Sequence, residues 1–176
     1  MGKFEDRLVV GAAGESAIAK WMRKRGDYIL PVYEKIIDNG KGPRLYTPNG
    51  ELIAPDILTM SDKGISWIEA KHKSGFTWYR AKSVWETGID LKHYFDYIKV
   101  AKSLPYPVFL LFLQAGEATK DCPYSHSPSG LYGGEILSLS KKESHRSDRH
   151  GQSGMVYWEI SVLKKYAEYS DVINCY

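Results

Sequence analysis

The sequence predicts an α/β fold with a mixed central sheet flanked by helices. Three observations predict it. The chain begins with an amphipathic helical stripe. Two apolar runs joined by a turn-like segment follow, and after a second helical stretch comes an unbroken apolar run, Val108 to Gln114. In order these read as a helix, a strand, a hairpin, a helix and a buried strand, all within the first 115 residues.

The spacing predicts a helix over Arg7 to Arg25, because Leu8, Ala12, Glu15, Ala19 and Met22 recur at alternating steps of four and three. Glu15 is then a carboxylate on an otherwise apolar face, paired with a core lysine or an amide, or else part of a site. Gly11 and Gly14 weaken that helix by about 1 kcal/mol each relative to alanine, and would let it approach a sheet closely. Gly26 ends it. Tyr28 to Ile37 reads as the first strand, and Asp38 to Pro43 as a loop of turn-forming residues.

Leu52 to Met60 and Ile65 to Lys71 are joined by Ser61-Asp62-Lys63-Gly64. Closing that turn with a two-residue or a four-residue loop gives one and the same register, in which Asp56 lies opposite Glu69. Like charges facing each other across strands destabilise a sheet, so the pair needs a compensating cation. Side chains alternate along a strand, which puts Glu69 and Lys71 on one face and Ile68 and Ala70 on the other. Pro55 implies an edge, an irregularity or a bulge just before Asp56.

Ser74 to Gly88 is irregular and carries Phe76, Trp78, Tyr79, Arg80 and Trp85, which either stack bases or cap the sheet. Ile89 to Leu104 reads as the second helix, with Ile89, Phe95 or Tyr94, Ile98 and Ala101 inward, and His93 among its outward residues. Val108 to Gln114 suits a central strand buried on both faces. Beyond it, Cys122 to Gly134 is loop-rich, Glu135 to Leu139 suggests a strand, and Lys141 to Gly154 is a polar excursion. Met155 to Ile160 reads as a strand, with Ser161 as the N-cap of a short helix.

Pro55-Asp56, Glu69-Ala70-Lys71 and the helical Gly14-Glu15 together resemble the signature of the PD-(D/E)xK nuclease superfamily. The resemblance covers most of the first 115 residues. It implies a restriction endonuclease-like αβββαβ core over residues 5–115, with 116–176 as an extension of the same single domain. It also implies a Mg2+-dependent deoxyribonuclease, Mn2+ being an acceptable substitute because oxygen ligands suit either. Asp56, Glu69 and the Ala70 carbonyl would hold the metal, Glu15 would support a second metal or orient a bound water, and Lys71 would orient the attacking water and stabilise charge on phosphorus. Within the superfamily the chain looks most like the small Holliday junction resolvase-like and phage-type nucleases, which implies branched or duplex DNA as partner and a homodimer. The aromatic stretch Phe76 to Trp85 and the carboxyl-terminal third depart from that pattern, leaving a restriction, repair or exonuclease role open. A non-catalytic binding module with the same fold is the alternative from another class, and a lysine paired to Glu69 would favour it.

Composition sets the outer bounds. The 176 residues suit one domain with a real core, and 43% hydrophobic content is globular. A net charge of +3 says little about nucleic acid, but three local basic clusters say more. These are Lys20, Arg23, Lys24 and Arg25; Lys71, Lys73, Arg80 and Lys82; and Lys141, Lys142, Arg146 and Arg149. Lys73, Arg80 and Lys82 are the candidate DNA contacts. Two cysteines without metal-like spacing argue against structural zinc or a disulfide scaffold. With a polar amino terminus and no membrane-length apolar run, the expectation is a cytoplasmic protein.

Overall fold

A computed structural model of the chain describes residues 3–32, 43–48, 50–119 and 122–175, with the backbone alone for 3–12. Helix α1 (Lys3–Lys24) is followed by β1 (Tyr28–Pro31), a small hairpin of β2 (Arg44–Thr47) and β3 (Gly50–Ile53), then β4 (Ile57–Ser61) and β5 (Gly64–Lys73). Next come β6 (Thr77–Tyr79), β7 (Val84–Asp90), α2 (Leu91–Ser103) and β8 (Val108–Gln114). The remainder forms β9 (Gly130–Glu135), α3 (Ile136–Leu139), β10 (His145–Ser147), β11 (Met155–Glu159), a 3-10 turn (Ile160–Val162), β12 (Lys164–Ala167) and α4 (Tyr169–Ile173).

The central sheet has six strands in the order β1-β4-β5-β8-β9-β12. It is mixed: β5 and β8 run parallel, and every other neighbouring pair is antiparallel. Parallel neighbours need a long crossover; here it carries β6, β7 and α2. On one face α1 and α4 bury Ile18, Met22 and Val172 against Ile68, Ala70, Leu111 and Leu113. On the other, α2 buries Tyr94, Tyr97 and Val100 against Trp67, Leu110, Phe112 and Trp158. The order α1-β1-β4-β5-α2-β8 is the expected αβββαβ core, a restriction endonuclease-like arrangement.

The additions to that core find each other. Strands β6 and β7, inserted after β5, pair with β10 and β11 of the carboxyl-terminal third in a second sheet ordered β10-β11-β7-β6. Val84–Asp90 is therefore a strand where an irregular stretch running into a helix was expected. The helix starts later, at Leu91, because the Asp90 carboxylate caps it by accepting from Lys92 N. That shift turns Tyr94 inward and leaves Phe95 44% exposed. The strand expected at Glu135–Leu139 is instead the end of β9 plus α3, whose first amides are capped by the Glu135 carboxylate. Ser161 lies inside the 3-10 turn rather than capping a helix. The polar excursion after Lys141 contains β10.

The close approach of α1 to the sheet is real at Gly14. A Cβ there would fall 2.1 Å from the His72 Cβ on β5, so only glycine fits. Gly11, Leu8 and Ala12 have no described side-chain surroundings. The second half of the expected first strand and most of its following loop, 33–42, lie outside the described residues. Among the described residues, no helix is long and apolar enough to cross a membrane.

Candidate active site

The β4–β5 hairpin closes on Asp62 and Lys63, with Ser61 paired to Gly64 and Ile57 to Ile68. The next position along this register puts Asp56 across from Glu69. Trp67 N donates to the Pro107 carbonyl beside β8, so odd-numbered amides of β5 face β8 and even-numbered ones face β4. By that alternation, the next hydrogen-bonded pair after Ile57–Ile68 would join residue 55 to Ala70. Residue 55 is a proline and has no N–H to give. The Ala70 carbonyl therefore loses its donor from this strand. The Ala70 amide is taken instead by Asp56 Oδ2, at 3.0 Å. Pro55 thus ends the ladder and frees a carbonyl beside two acids.

Glu69 is completely buried on the α2 face of the sheet. Outside its ion pair with Lys71, its carboxylate finds no well-formed hydrogen bond. The Lys71 ammonium touches Oε1 and stands 3.8 Å from Asp56 Oδ2. A carboxylate buried with a single cation for partner is costly, and a second acid beside it adds to that cost. Burial first, and then the Glu69 charge, push Asp56 up to about 7, with Lys71 and the Ala70 amide pulling the other way. Burial works against the Lys71 ammonium, but Glu69 and Asp56 outweigh it and hold its pKa above the ordinary lysine range. A completely buried acid, a second, largely buried acid and a freed carbonyl make an oxygen donor set suited to a hard divalent cation.

Glu15 comes from α1 on the opposite face. Burial raises its pKa, and the Asp56 charge adds to the rise while Lys71 opposes it, so the three groups sense one another. Among the described residues no three acidic, histidine or cysteine side chains close into a metal-holding cluster, so Glu15 stands behind the Asp56–Glu69 pair rather than completing a triad with it.

Two residues of α2 missing from the candidate set complete the wall. Tyr97 is buried with its hydroxyl toward Glu69, and that hydroxyl is 3.2 Å from His93 Nδ1. Burial first, and then the Lys71 charge, lower the His93 pKa against the opposing pull of Asp90, Asp56 and Asp96. The readable signal was the i, i+4 spacing of His93 and Tyr97 on the helix that follows the motif strand. Gln114, at the end of β8, is buried and donates to Thr87 Oγ1 at 3.1 Å.

The candidate DNA contacts separate. Lys73 turns toward the second sheet, donating to the Gly88 carbonyl at 2.7 Å above the Phe112 ring. Burial, and then Lys71, lower its pKa to about 8. It ties the two sheets together rather than presenting a cation to solvent. Lys82 is exposed and pairs with Glu159 at 2.9 Å. Arg80 is exposed on the turn between β6 and β7.

Fold and geometry together describe a restriction endonuclease-like α/β domain with an acid pair and a lysine where β4 stops short. The same fold is found in Hjc, a Holliday junction resolvase from the archaeal hyperthermophile Archaeoglobus fulgidus. The match has a TM-score of 0.51 at 10% identity, covering 86% of this chain and 90% of that one. No protein-family model matches the sequence, and no curated protein matches it.

Proposed function

We propose that this chain is a metal-dependent deoxyribonuclease that hydrolyses phosphodiester bonds, acting as an endonuclease on branched or recombining DNA. The observation that carries the reading is the completely buried Glu69 facing Asp56 and paired with Lys71, at the point where Pro55 frees the Ala70 carbonyl. A fold shared with a Holliday junction resolvase supports the branched substrate.

Asp56, Glu69 and the Ala70 carbonyl would hold Mg2+, or Mn2+ in its place, which when bound supplies positive charge for the acid pair and for the phosphodiester. Lys71 keeps its proton, so it orients the attacking water and offsets the charge developing on phosphorus. Glu15 faces Asp56 from the other side and orients a second water. Tyr97, braced by His93, fixes the Glu69 carboxylate. A homodimer would let two such sites cut one strand each.

A non-catalytic nucleic-acid-binding module is the second reading, and the contact of Lys71 with Glu69 favours it. Against it stands Asp56, an acid whose burial beside Glu69 gives a binding module nothing.

The test is cleavage of end-labelled linear duplex, single-stranded, flap and four-way-junction DNA, with Mg2+ or EDTA, by wild type and Lys71→Ala. Mg2+-dependent cuts, strongest on the junction and lost in the variant, are expected. No cleavage of any substrate, with equal DNA binding by both proteins, would establish the module instead.

A further inference from the structure

The second sheet builds a groove that the catalytic reading leaves unused. Trp78 on β6, Trp85 on β7 and Tyr124 line an open cavity of about 630 Å³ together with Ser83, His126 and Ser161. The Trp78 ring meets Trp85 at 5.1 Å and Tyr124 at 5.3 Å between centroids, both edge to face. No two of the three are stacked flat against each other. Tyr124 is 56% exposed, and both tryptophans are only half-buried. Core aromatics here, such as Trp158 and Phe112, are fully buried, so these three rings are held at the surface while an apolar interior lies alongside.

The rim is polar, and the turn that carries the groove's edge also carries Arg80 and Lys82. Lys82 pairs with Glu159 at the groove. An exposed pair of this kind contributes little, so Lys82 can exchange its carboxylate for a phosphate. The combination of flat ring walls, hydroxyl and imidazole groups for base edges, and cations for the flanking phosphates is what an unpaired base needs. β7 runs from Trp85 to Gly88, where Lys73 docks, roughly 10 Å by strand rise. It then leads into α2, whose His93 and Tyr97 wall the acid pair.

We infer that this groove is a subsite for an unpaired base of the DNA strand being processed, so that the enzyme reads a single-stranded flank next to the duplex it cuts. The inference rests on the nuclease reading for its substrate. The residues that build the groove belong to the insertion and the carboxyl-terminal third, outside the αβββαβ core.

The test compares a blunt duplex with the same duplex bearing a single-stranded thymidine tail, binding being followed in EDTA by anisotropy and by tryptophan fluorescence. The tail should tighten binding and quench tryptophan emission. Tyr124→Ala should lower the ratio of tailed to blunt affinity about tenfold, the loss of one stack, while Tyr124→Phe keeps it. Trp78→Leu should remove most of the quenching. A tail that neither tightens binding nor quenches, or a ratio unchanged in Tyr124→Ala, would overturn the subsite. Cleavage separates the two readings. A protein that cuts junctions in Mg2+ yet ignores the tail loses the subsite and keeps the nuclease. One that binds the tail and cuts nothing keeps the subsite and loses the nuclease.

Discussion

Replacing Asp56 by asparagine should make the metal-free protein more stable while abolishing its response to Mg2+. The wild-type carboxyl is pushed from 3.8 to about 7, which corresponds to about 4 kcal/mol of unfavourable interaction once the group is ionised. Asparagine keeps an oxygen to accept from the Ala70 amide and turns an N–H toward the buried Glu69 carboxylate. Burying an amide still costs part of what is saved, so a net gain of about 1–3 kcal/mol is expected. The sign follows from proton linkage. A carboxyl with a raised folded pKa leaves full stability below its unfolded value and loses it as pH rises through the folded one. The advantage of Asp56→Asn should therefore grow from pH 4 to 7 and level off above. Thermal melts in EDTA at pH 8 should place the variant roughly 3–10 °C above wild type. Added Mg2+ should stabilise wild type by about 2.7 kcal/mol at a hundredfold excess over Kd, raising its midpoint, and leave the variant where it was. A variant less stable than wild type in EDTA at pH 8, or equal Mg2+ shifts in both proteins, would refute the account of the acid pair.

Pro55→Ala restores an N–H opposite the Ala70 carbonyl. It should lengthen the β4–β5 ladder by one pair and weaken Mg2+ affinity about tenfold, the 1.4 kcal/mol of one hydrogen bond competing with a ligand, as read by calorimetric titration. Gly14→Ala should cost about 2–4 kcal/mol despite alanine's better helix propensity, because its Cβ would fall on the backbone-anchored His72 Cβ; urea denaturation measures it. Glu86 is buried under the stacked rings of Tyr79, His145 and Tyr157. Burial pushes it up to about 7 against the pull of Lys82, with Glu159 adding a little. Wild type should lose stability between pH 5 and 8 as Glu86 ionises, and Glu86→Gln should flatten that slope; parallel denaturation curves for the two would contradict the assignment.

The hairpin was readable from the chain because its two strands are neighbours in sequence and one turn sets their register. Asp56 and Glu69 could be placed face to face from residue counting alone, and with them the lysine two positions on. Val84–Asp90 was not readable. Its partner on one side is β11, whose residues begin at Met155, and nothing local in Val-Trp-Glu-Thr-Gly-Ile-Asp declares that pairing. The α2 boundary failed for a related reason. Asp90 caps the helix while its other oxygen accepts from Gln152 N and Ser153 N, a contact with the distant carboxyl-terminal third. Lys73 looked like a continuation of a basic surface until the second sheet supplied the Gly88 carbonyl that draws it inward.

That second sheet also fixes an order of events in making the protein. Every acid of the site, and Lys71, is synthesised within the first 71 residues, yet β7 acquires its inner neighbour only when residues 155–159 arrive. Contacts separated by so much chain form late and slowly, because loop closure must come first. The wall of α2 hangs from β7 and from an Asp90 cap completed by Gln152 and Ser153, so Tyr97 and His93 settle beside Glu69 only once residues 152–159 are in place. A ribosome-bound fragment ending at residue 115 carries the acid pair and Lys71 without the frame that positions α2 beside them. Assembly of the site is thereby deferred until residues 152–159 have been made.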